Sequence, residues 1–332
     1  MRSVAVIGAG SWGTALAVHL ARIGHRVHLW ARDAALVAEM ETRGANPTYL
    51  PDVPFPPTLV PTQALDRALG DAQFVVLAVP SLGLRRVLAT SGSFLQPSAI
   101  VLSATKGLEP GTNLRMSEVI RQEWPAVQEV AVLSGPSFAL ELARSLPTVV
   151  VVASSNHAAV CHVQDEFRSG AMRLYGSSDV TGVELGGALK NVIAIAAGVV
   201  EGLGLGHNAL AALITRGLAE ISRLAVAAGG DRDTLAGLSG MGDLVLTCTG
   251  GLSRNRHVGI ELARGRPLDE IVAGMKMVAE GVSTTPVALA LGRRLGVELP
   301  ITEQVEAILH GHTSAADALA GLMGRRQRAE AD

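Results

Sequence analysis

Three glycines, Gly8, Gly10 and Gly13, constrain this chain more than any other feature of its 332 residues. They follow an apolar run at residues 4–7 and open an apolar stretch of helical texture at residues 14–23. A buried strand therefore turns into a helix at the spacing G-x-G-x-x-G. In that setting each glycine has its own role. The first permits the tight turn, the second lets the backbone approach a pyrophosphate, and the third lets the helix pack on the strand. The helix then aims its N-terminal amides at the phosphate. In a chain with 37 glycines the bare hexapeptide is weak, and a tight turn without a ligand is the plain alternative. Its place at the first strand-to-helix turn favours the dinucleotide reading. Arg2, the apolar run and residues 15–17 also imitate a secretory signal, but a signal needs no glycine spacing.

Further Val-rich runs follow at residues 26–30, 74–79, 99–102, 130–133 and 148–152. They are continuous rather than alternating, as in strands buried on both faces. Helical segments separate most of them, which predicts a mainly parallel, doubly wound sheet. Six prolines crowd residues 47–61, so residues 46–62 read as an extended, ordered loop and not as a helix or central strand. After about Asp179 the texture becomes rich in Ala, Leu and Gly, with further helices at 256–264, 268–275, 285–295 and 301–309. The expected class is α/β: a Rossmann-like doubly wound sheet over residues 1–180, an all-helical domain over 181–324, and a flexible, solvated tail over 325–332.

Composition narrows the function. Lys and Arg total 28 against 30 Asp and Glu, a net charge of −2 with no long basic run, which excludes nucleic acid or an acidic membrane surface as an electrostatic partner. With 48% hydrophobic and 17% charged residues the chain has ample core and is not disordered. The apolar stretch at residues 191–200 is shorter than the ~20 residues a membrane span needs. Only Cys161 and Cys248 occur, far apart, so neither a disulfide framework nor a cysteine zinc site is expected; a reducing, cytoplasmic setting fits. The histidines form no ligand spacing and no metal is expected. Among the 28 basic residues only Lys106, Lys190 and Lys276 are lysines. A Lys amine can be tuned to titrate near neutrality and an Arg cannot, so each invites scrutiny.

Two of the three sit where chemistry could use them. Lys190 lies in an apolar helical context, where desolvation lowers its pKa towards the working range. Lys106 lies in a Thr-Lys-Gly loop after the strand at 99–102, and ligands of such sheets bind outside the carboxyl ends of the strands. The end of the second strand reads Trp30-Ala31-Arg32-Asp33. An acid at that place binds the ribose 2′-hydroxyl of NAD, whereas Arg accommodates the 2′-phosphate of NADP. Arg32 stands beside the position and the acid follows one residue later, which favours NADPH while leaving NADH open.

Seven motifs occur in order, at residues 8–13, 103–107, 135–139, 187–191, 240–244, 253–255 and 278–281. The ordered set closely resembles the bacterial NAD(P)-dependent glycerol-3-phosphate dehydrogenases, from residue 4 to about residue 310. The resemblance implies reversible reduction of dihydroxyacetone phosphate to sn-glycerol 3-phosphate, feeding glycerophospholipid synthesis, by a homodimer. It implies NADPH or NADH contacts at Gly8, Gly10, Ser11, Trp12, Gly13, Arg32, Lys106, Ala139, Arg254, Val278 and Glu280. It places substrate on Lys106, Gly135, Ser137, Lys190, Asp243, Ser253, Arg254 and Asn255. Lys190 would be the proton donor, with Lys106 and Asp243 in support. These residue types suit the chemistry, since a ketone that accepts hydride needs an acid at its oxygen, and a planar guanidinium suits phosphate oxygens. Structural duties remain open beside these roles: a helix cap for Ser253 or Asp243, and a salt bridge from Glu280 to Lys276.

Three other readings compete. Ketopantoate reductase is a two-domain NADPH ketone reductase with a Lys acid, but its carboxylate substrate needs no phosphate clamp. A nucleotide-sugar dehydrogenase would need a reactive cysteine, for which only Cys248 is placed. A non-catalytic NAD(P) sensor makes no use of Lys106, Lys190 and Arg254 together.

Overall fold

The computed structural model describes residues 1–327 and 329. Its strands, in chain order, are β1 (Ser3–Ile7), β2 (Arg26–Trp30), β3 (Ala45–Asn46), β4 (Leu50–Pro54), β5 (Leu59–Thr62), β6 (Phe74–Leu77), β7 (Ile100–Ser103), β8 (Glu129–Ser134), β9 (Thr148–Ala153) and β10 (Met172–Ser177). Eight of them form one sheet in the order β10-β9-β8-β7-β6-β1-β2-β5, parallel except where β8 meets β9. Both faces are covered. Along β1, Val4 and Val6 enter one apolar core while Ala5 and Ile7 enter the other. This double burial explains why the strands read as unbroken apolar runs. Strand order reverses at β1, with β2 and β6 on its two sides, so the loops after β1, β6 and β7 border the crevice where such sheets bind ligands.

The proline-rich segment departs from expectation. It is not all loop: β4 pairs with β3, and β5 forms the outer edge of the main sheet beside β2. An edge strand hydrogen-bonds on one side only, so Pro61 in β5 is tolerated where a central proline would break the ladder. The other edge, β10, carries the polar and exposed residues Arg173 and Tyr175 and shows no apolar run.

Beyond β10 the chain is helical. The helix Val180–Gly202 is its axis, and every residue from 182 to 200 is buried. It is longer than the apolar run at residues 191–200 suggested, and by length and composition it could cross a membrane. Its most apolar window is 94% buried within the protein, which marks it as a core helix. The helices Gly206–Ala227, Asp243–Thr249, Arg254–Ala263, Glu280–Leu295 and Pro300–Leu309 pack around it, and a final helix, Ala315–Met323, lies beyond the stretch that sequence patterning covered. Of the expected tail 325–332, residues 328 and 330–332 lie outside the described residues, and Arg325 pairs with Glu298 at 3.2 Å.

Candidate active site

The glycine loop after β1 has the geometry the three glycines require. Gly8 takes φ +114°, and a Cβ there would lie 2.7 Å from the Ala78 carbonyl oxygen after β6. A Cβ on Gly13 would lie 1.9 Å from the Gly8 carbonyl oxygen. Gly10, by contrast, faces open space with nothing within 4 Å, the side from which a pyrophosphate could approach. It caps the helix Ser11–Arg22 without a side-chain hydrogen bond, so the first amides of that helix point into the crevice. The Trp12 indole N–H is buried there with no partner. These features fit a dinucleotide.

Supports around this loop come from residues that sequence reasoning passed over. Asn46, fully buried, donates from Nδ2 to the Ala9 carbonyl and to Thr14 Oγ1, both at 2.8 Å, tying the proline-rich segment to the glycine turn. Ser11 Oγ bonds the Tyr49 carbonyl at 3.2 Å and Met277 Sδ at 3.0 Å, bringing the segment that holds Val278 over the loop. At the end of β2, Arg32 is exposed. Asp33 accepts the Ala35 amide at 2.9 Å and caps the helix Ala34–Arg43. The acid that could have bound a ribose hydroxyl is engaged as a helix cap.

At the same carboxyl end of the sheet, beyond β7, two lysines share one carboxylate. Lys190 Nζ lies 2.5 Å from Asp243 Oδ1, and Lys106 Nζ lies 2.7 Å from Asp243 Oδ2. Lys106 also donates to the Gly135 carbonyl at 3.0 Å and to Ser137 Oγ at 3.3 Å. Five sequence-expected residues from four separate segments therefore meet. Gly187 makes the approach possible: a Cβ there would lie 2.4 Å from Ser134 Oγ and in contact with the Lys106 stem. Asp243 starts the helix Asp243–Thr249 after a wide turn in which the Gly242 amide bonds back to the Gly237 carbonyl at 3.0 Å. Such i→i−5 turns often occur at functional sites.

Asp243 is 1% exposed and the Lys106 side chain 16%, so this is a nearly desolvated cluster with one net positive charge. Burial pulls the Lys190 ammonium down to about 8; Asp243 opposes that fall and Lys106 adds to it. A lysine so placed exchanges its proton near neutrality, as a general acid must. Burial pushes the neighbouring Cys248 thiol up to about 12, which makes it a small apolar side chain and not a nucleophile.

The Ser253-Arg254-Asn255 trio divides. Ser253 Oγ caps the helix Arg254–Ala263 through the Arg256 amide at 3.3 Å. Asn255 is buried, donating to Asn191 Oδ1 and accepting the Gly281 amide, both at 2.9 Å. It thereby locks the residue after Lys190 to the start of the helix Glu280–Leu295. The Arg254 side chain alone of the three has neither a hydrogen bond nor an ion pair among the described residues. Its side chain is exposed at the surface, where desolvation by the neighbouring protein lowers its pKa and Glu280 opposes that. Arg256 is ion-paired with Glu201.

Glu280 does not pair with Lys276. Its Oε1 accepts the Ser81 amide at 3.0 Å and its Oε2 accepts Ser81 Oγ at 2.5 Å, so it caps the helix Ser81–Ala89 after β6. Burial raises its pKa, and the two Ser81 bonds and Arg254 act against the rise. Ala139 opens the helix Ala139–Ala143 two residues after Ser137. Among the described residues no group of three or more His, Cys, Asp or Glu side chains could hold a metal ion.

Comparison with known proteins agrees with this geometry. Residues 3–160 match the family model for the N-terminus of NAD-dependent glycerol-3-phosphate dehydrogenase, and residues 179–320 match that for its C-terminus. The chain is 51% identical to a glycerol-3-phosphate dehydrogenase [NAD(P)+] of Koribacter versatilis (strain Ellin345), covering 99% of both chains. A crystal structure of glycerol-3-phosphate dehydrogenase from Coxiella burnetii superposes with a TM-score of 0.94 at 41% identity, covering 98% of this chain and 99% of that one. A ketopantoate reductase from Ralstonia eutropha JMP134 shares the fold alone, at 18% identity and a TM-score of 0.62 over 96% of this chain and 100% of that one. With both family models matched in order along a sheet and a helical half that bring their lysines onto one carboxylate, the chain belongs to the NAD-dependent glycerol-3-phosphate dehydrogenase family.

Proposed function

We propose that this chain catalyses the reversible NAD(P)H-dependent reduction of dihydroxyacetone phosphate to sn-glycerol 3-phosphate, with Lys190 as general acid and base. The observation that carries it is the Lys190–Asp243–Lys106 cluster, whose Lys106 stands on the loop after β7, at the same carboxyl end of the sheet as the glycine loop after β1. The dinucleotide would lie on the amides after Gly10, with Trp12, Ala139 and the segment at residues 278–280 around it; when bound, it supplies the hydride. The ketone oxygen gains charge as the carbon is reduced. Lys190 Nζ gives its proton to that oxygen, and in the reverse direction takes it back. Asp243 orients Lys190 and keeps it charged at rest, while Lys106 adds positive potential where the oxygen becomes negative. Arg254, with no protein partner for its fork, is the group that can grip the substrate phosphate, assisted by Ser253. Asn255 acts chiefly by fixing Asn191 beside Lys190. Residues 1–180 serve the nucleotide and residues 181–324 complete the substrate site.

Arg32, exposed at the end of β2 with Asp33 engaged as a cap, supports a preference for NADPH over NADH. The reaction supplies glycerophospholipid synthesis in the cytoplasm, and the active form is a homodimer; light scattering tests the last point. The direct test follows loss of reduced-nicotinamide absorbance with dihydroxyacetone phosphate, using NADPH and NADH in turn. Saturable oxidation is expected, and Lys190→Ala should lose roughly 10²–10⁴-fold in turnover while still binding cofactor. Oxidation with ketopantoate but not with the phosphorylated ketone would overturn the substrate assignment.

A further inference from the structure

Glu184 lies on the Lys190 helix, six residues earlier, which at ~1.5 Å per residue is about 9 Å along the axis. It is buried, and its carboxylate reaches out of the helical half altogether. Oε1 accepts the Ser117 amide at 2.8 Å, and Oε2 accepts Ser117 Oγ at 2.6 Å and Arg115 Nη1 at 2.9 Å. Ser117 is in the first turn of the helix Met116–Glu123, between β7 and β8. That helix has Arg115 at its N-terminus, a residue type that cannot accept an amide hydrogen. The carboxylate from residue 184 thus does what a Ser or Asp cap does elsewhere, and its charge suits the positive end of the helix dipole.

The segment it captures is the end of the Lys106 loop. Residues 104–115 run from β7 to this helix, and the loop closes on itself through a bridge between Leu108 and Arg115. Arg115 and Ser117 are therefore the anchored foot of the loop that holds Lys106. Glu184 binds that foot to the helix that holds Lys190, and Gly187 of the same helix packs closely on Ser134 and the Lys106 stem. The charged groups facing Glu184 are Arg115 and Glu118. Arg115 also pairs with Glu118 at 3.0 Å, so it remains held if Glu184 is removed.

We propose that Glu184 is a positioning residue for catalysis: by capping the helix Met116–Glu123 it sets the Lys190 helix against the Lys106 loop, so that both ammonium groups reach Asp243. A shift of about 1 Å in either element would separate one lysine from the shared carboxylate, and misplacement of that size can cost ~10²-fold in rate. The proposal rests on Lys190 as the proton donor. It also requires more than stability from Glu184, because the register it sets determines how strongly Asp243 holds the Lys190 proton.

The test is Glu184→Gln, which keeps the size and one acceptor oxygen but loses the charge. The expected result is a kcat lower by roughly 10- to 100-fold per folded molecule. The dissociation constant for NADPH should stay within about twofold. The basic limb of kcat/KM should move to lower pH as Lys190 loses part of its contact with Asp243. Ser117→Ala, which removes only the hydroxyl bond, should shift the same limb in the same direction by less, and serves if Glu184→Gln fails to fold. An unmoved limb with kcat falling only as the folded fraction falls would make Glu184 structural and overturn the proposal. If Lys190→Ala keeps near-normal turnover, the proton-donor reading fails instead. If Lys190→Ala is inactive while Glu184→Gln and Ser117→Ala behave as the parent, this proposal alone fails.

Discussion

Replacing Asp243 by Asn isolates what the shared carboxylate does, because the side chain keeps its shape and loses only its charge. Lys190 titrates at about 8 through a balance in which burial lowers its pKa most, Asp243 raises it, and Lys106 lowers it further. In Asp243→Asn the raising contribution disappears and the two lowering ones stay. At the 2.5 Å contact, even a water-like dielectric makes the charge pair worth ~1.7 kcal/mol, or about 1.2 pKa units, and a less polar surrounding makes it larger. Lys190 in the variant should therefore titrate at roughly 7 or below. The sign differs between directions. Ketone reduction needs protonated Lys190, so its rate falls as pH rises through the pKa; alcohol oxidation needs the neutral amine and rises through it. Both limbs of kcat/KM should move at least about one unit towards acid, read from full pH–rate profiles in each direction. At pH 8 the variant should lose reduction more severely than oxidation. Limbs that stay in place, or move to higher pH, would refute the charge balance; movement in one direction only would show that another group titrates.

Arg254→Ala should penalise dihydroxyacetone phosphate far more than unphosphorylated dihydroxyacetone in kcat/KM, by on the order of 2–3 kcal/mol for a charge-assisted contact; equal penalties would remove the phosphate role. Arg32→Ala should raise KM for NADPH more than for NADH, and equal changes would count Arg32 as a solvated surface charge. Glu220, buried and accepting the Ile301 amide at 2.5 Å, is pushed up to about 7 by burial. A raised folded-state pKa gives stability that is full below the unfolded value of 4.5 and is lost as pH rises through about 7. Glu220→Gln should flatten that part of a Tm-against-pH curve, an effect of order 3 kcal/mol at most, whereas an unchanged slope would assign the pH dependence elsewhere.

Much of the site was legible as a set of residues, and little of it as a set of bonds. Lys190 was visible because a lysine in an apolar helical run is conspicuous, and Lys106 because its loop follows a strand. That both would end on Asp243, with Gly135 and Ser137 on the same ammonium, has no local signature. Asn255 shows the limit from the other side: its amide suits a substrate, yet the fold engages it between Asn191 and Gly281. Glu280, Glu184 and Asn46 each bond a segment remote in the chain, and nothing in their sequence neighbours shows which one.

What the sequence determined by itself depends on short-range sterics and periodicity. Only glycine fits at residues 8 and 13 of the turn after β1, and unbroken Val-rich runs suit only a doubly covered sheet. The change of texture near residue 180 likewise belongs to the chain alone. Tertiary structure decided everything that depends on burial and on neighbours through space. It drew β5 to an edge where its proline is harmless, and engaged Asp33 as the cap of the helix Ala34–Arg43. It also lowered Lys190 to about 8 by placing it in the core beside one acid and one base. A residue's type sets which proton it can carry, but the dielectric and the charges around it set when it lets go.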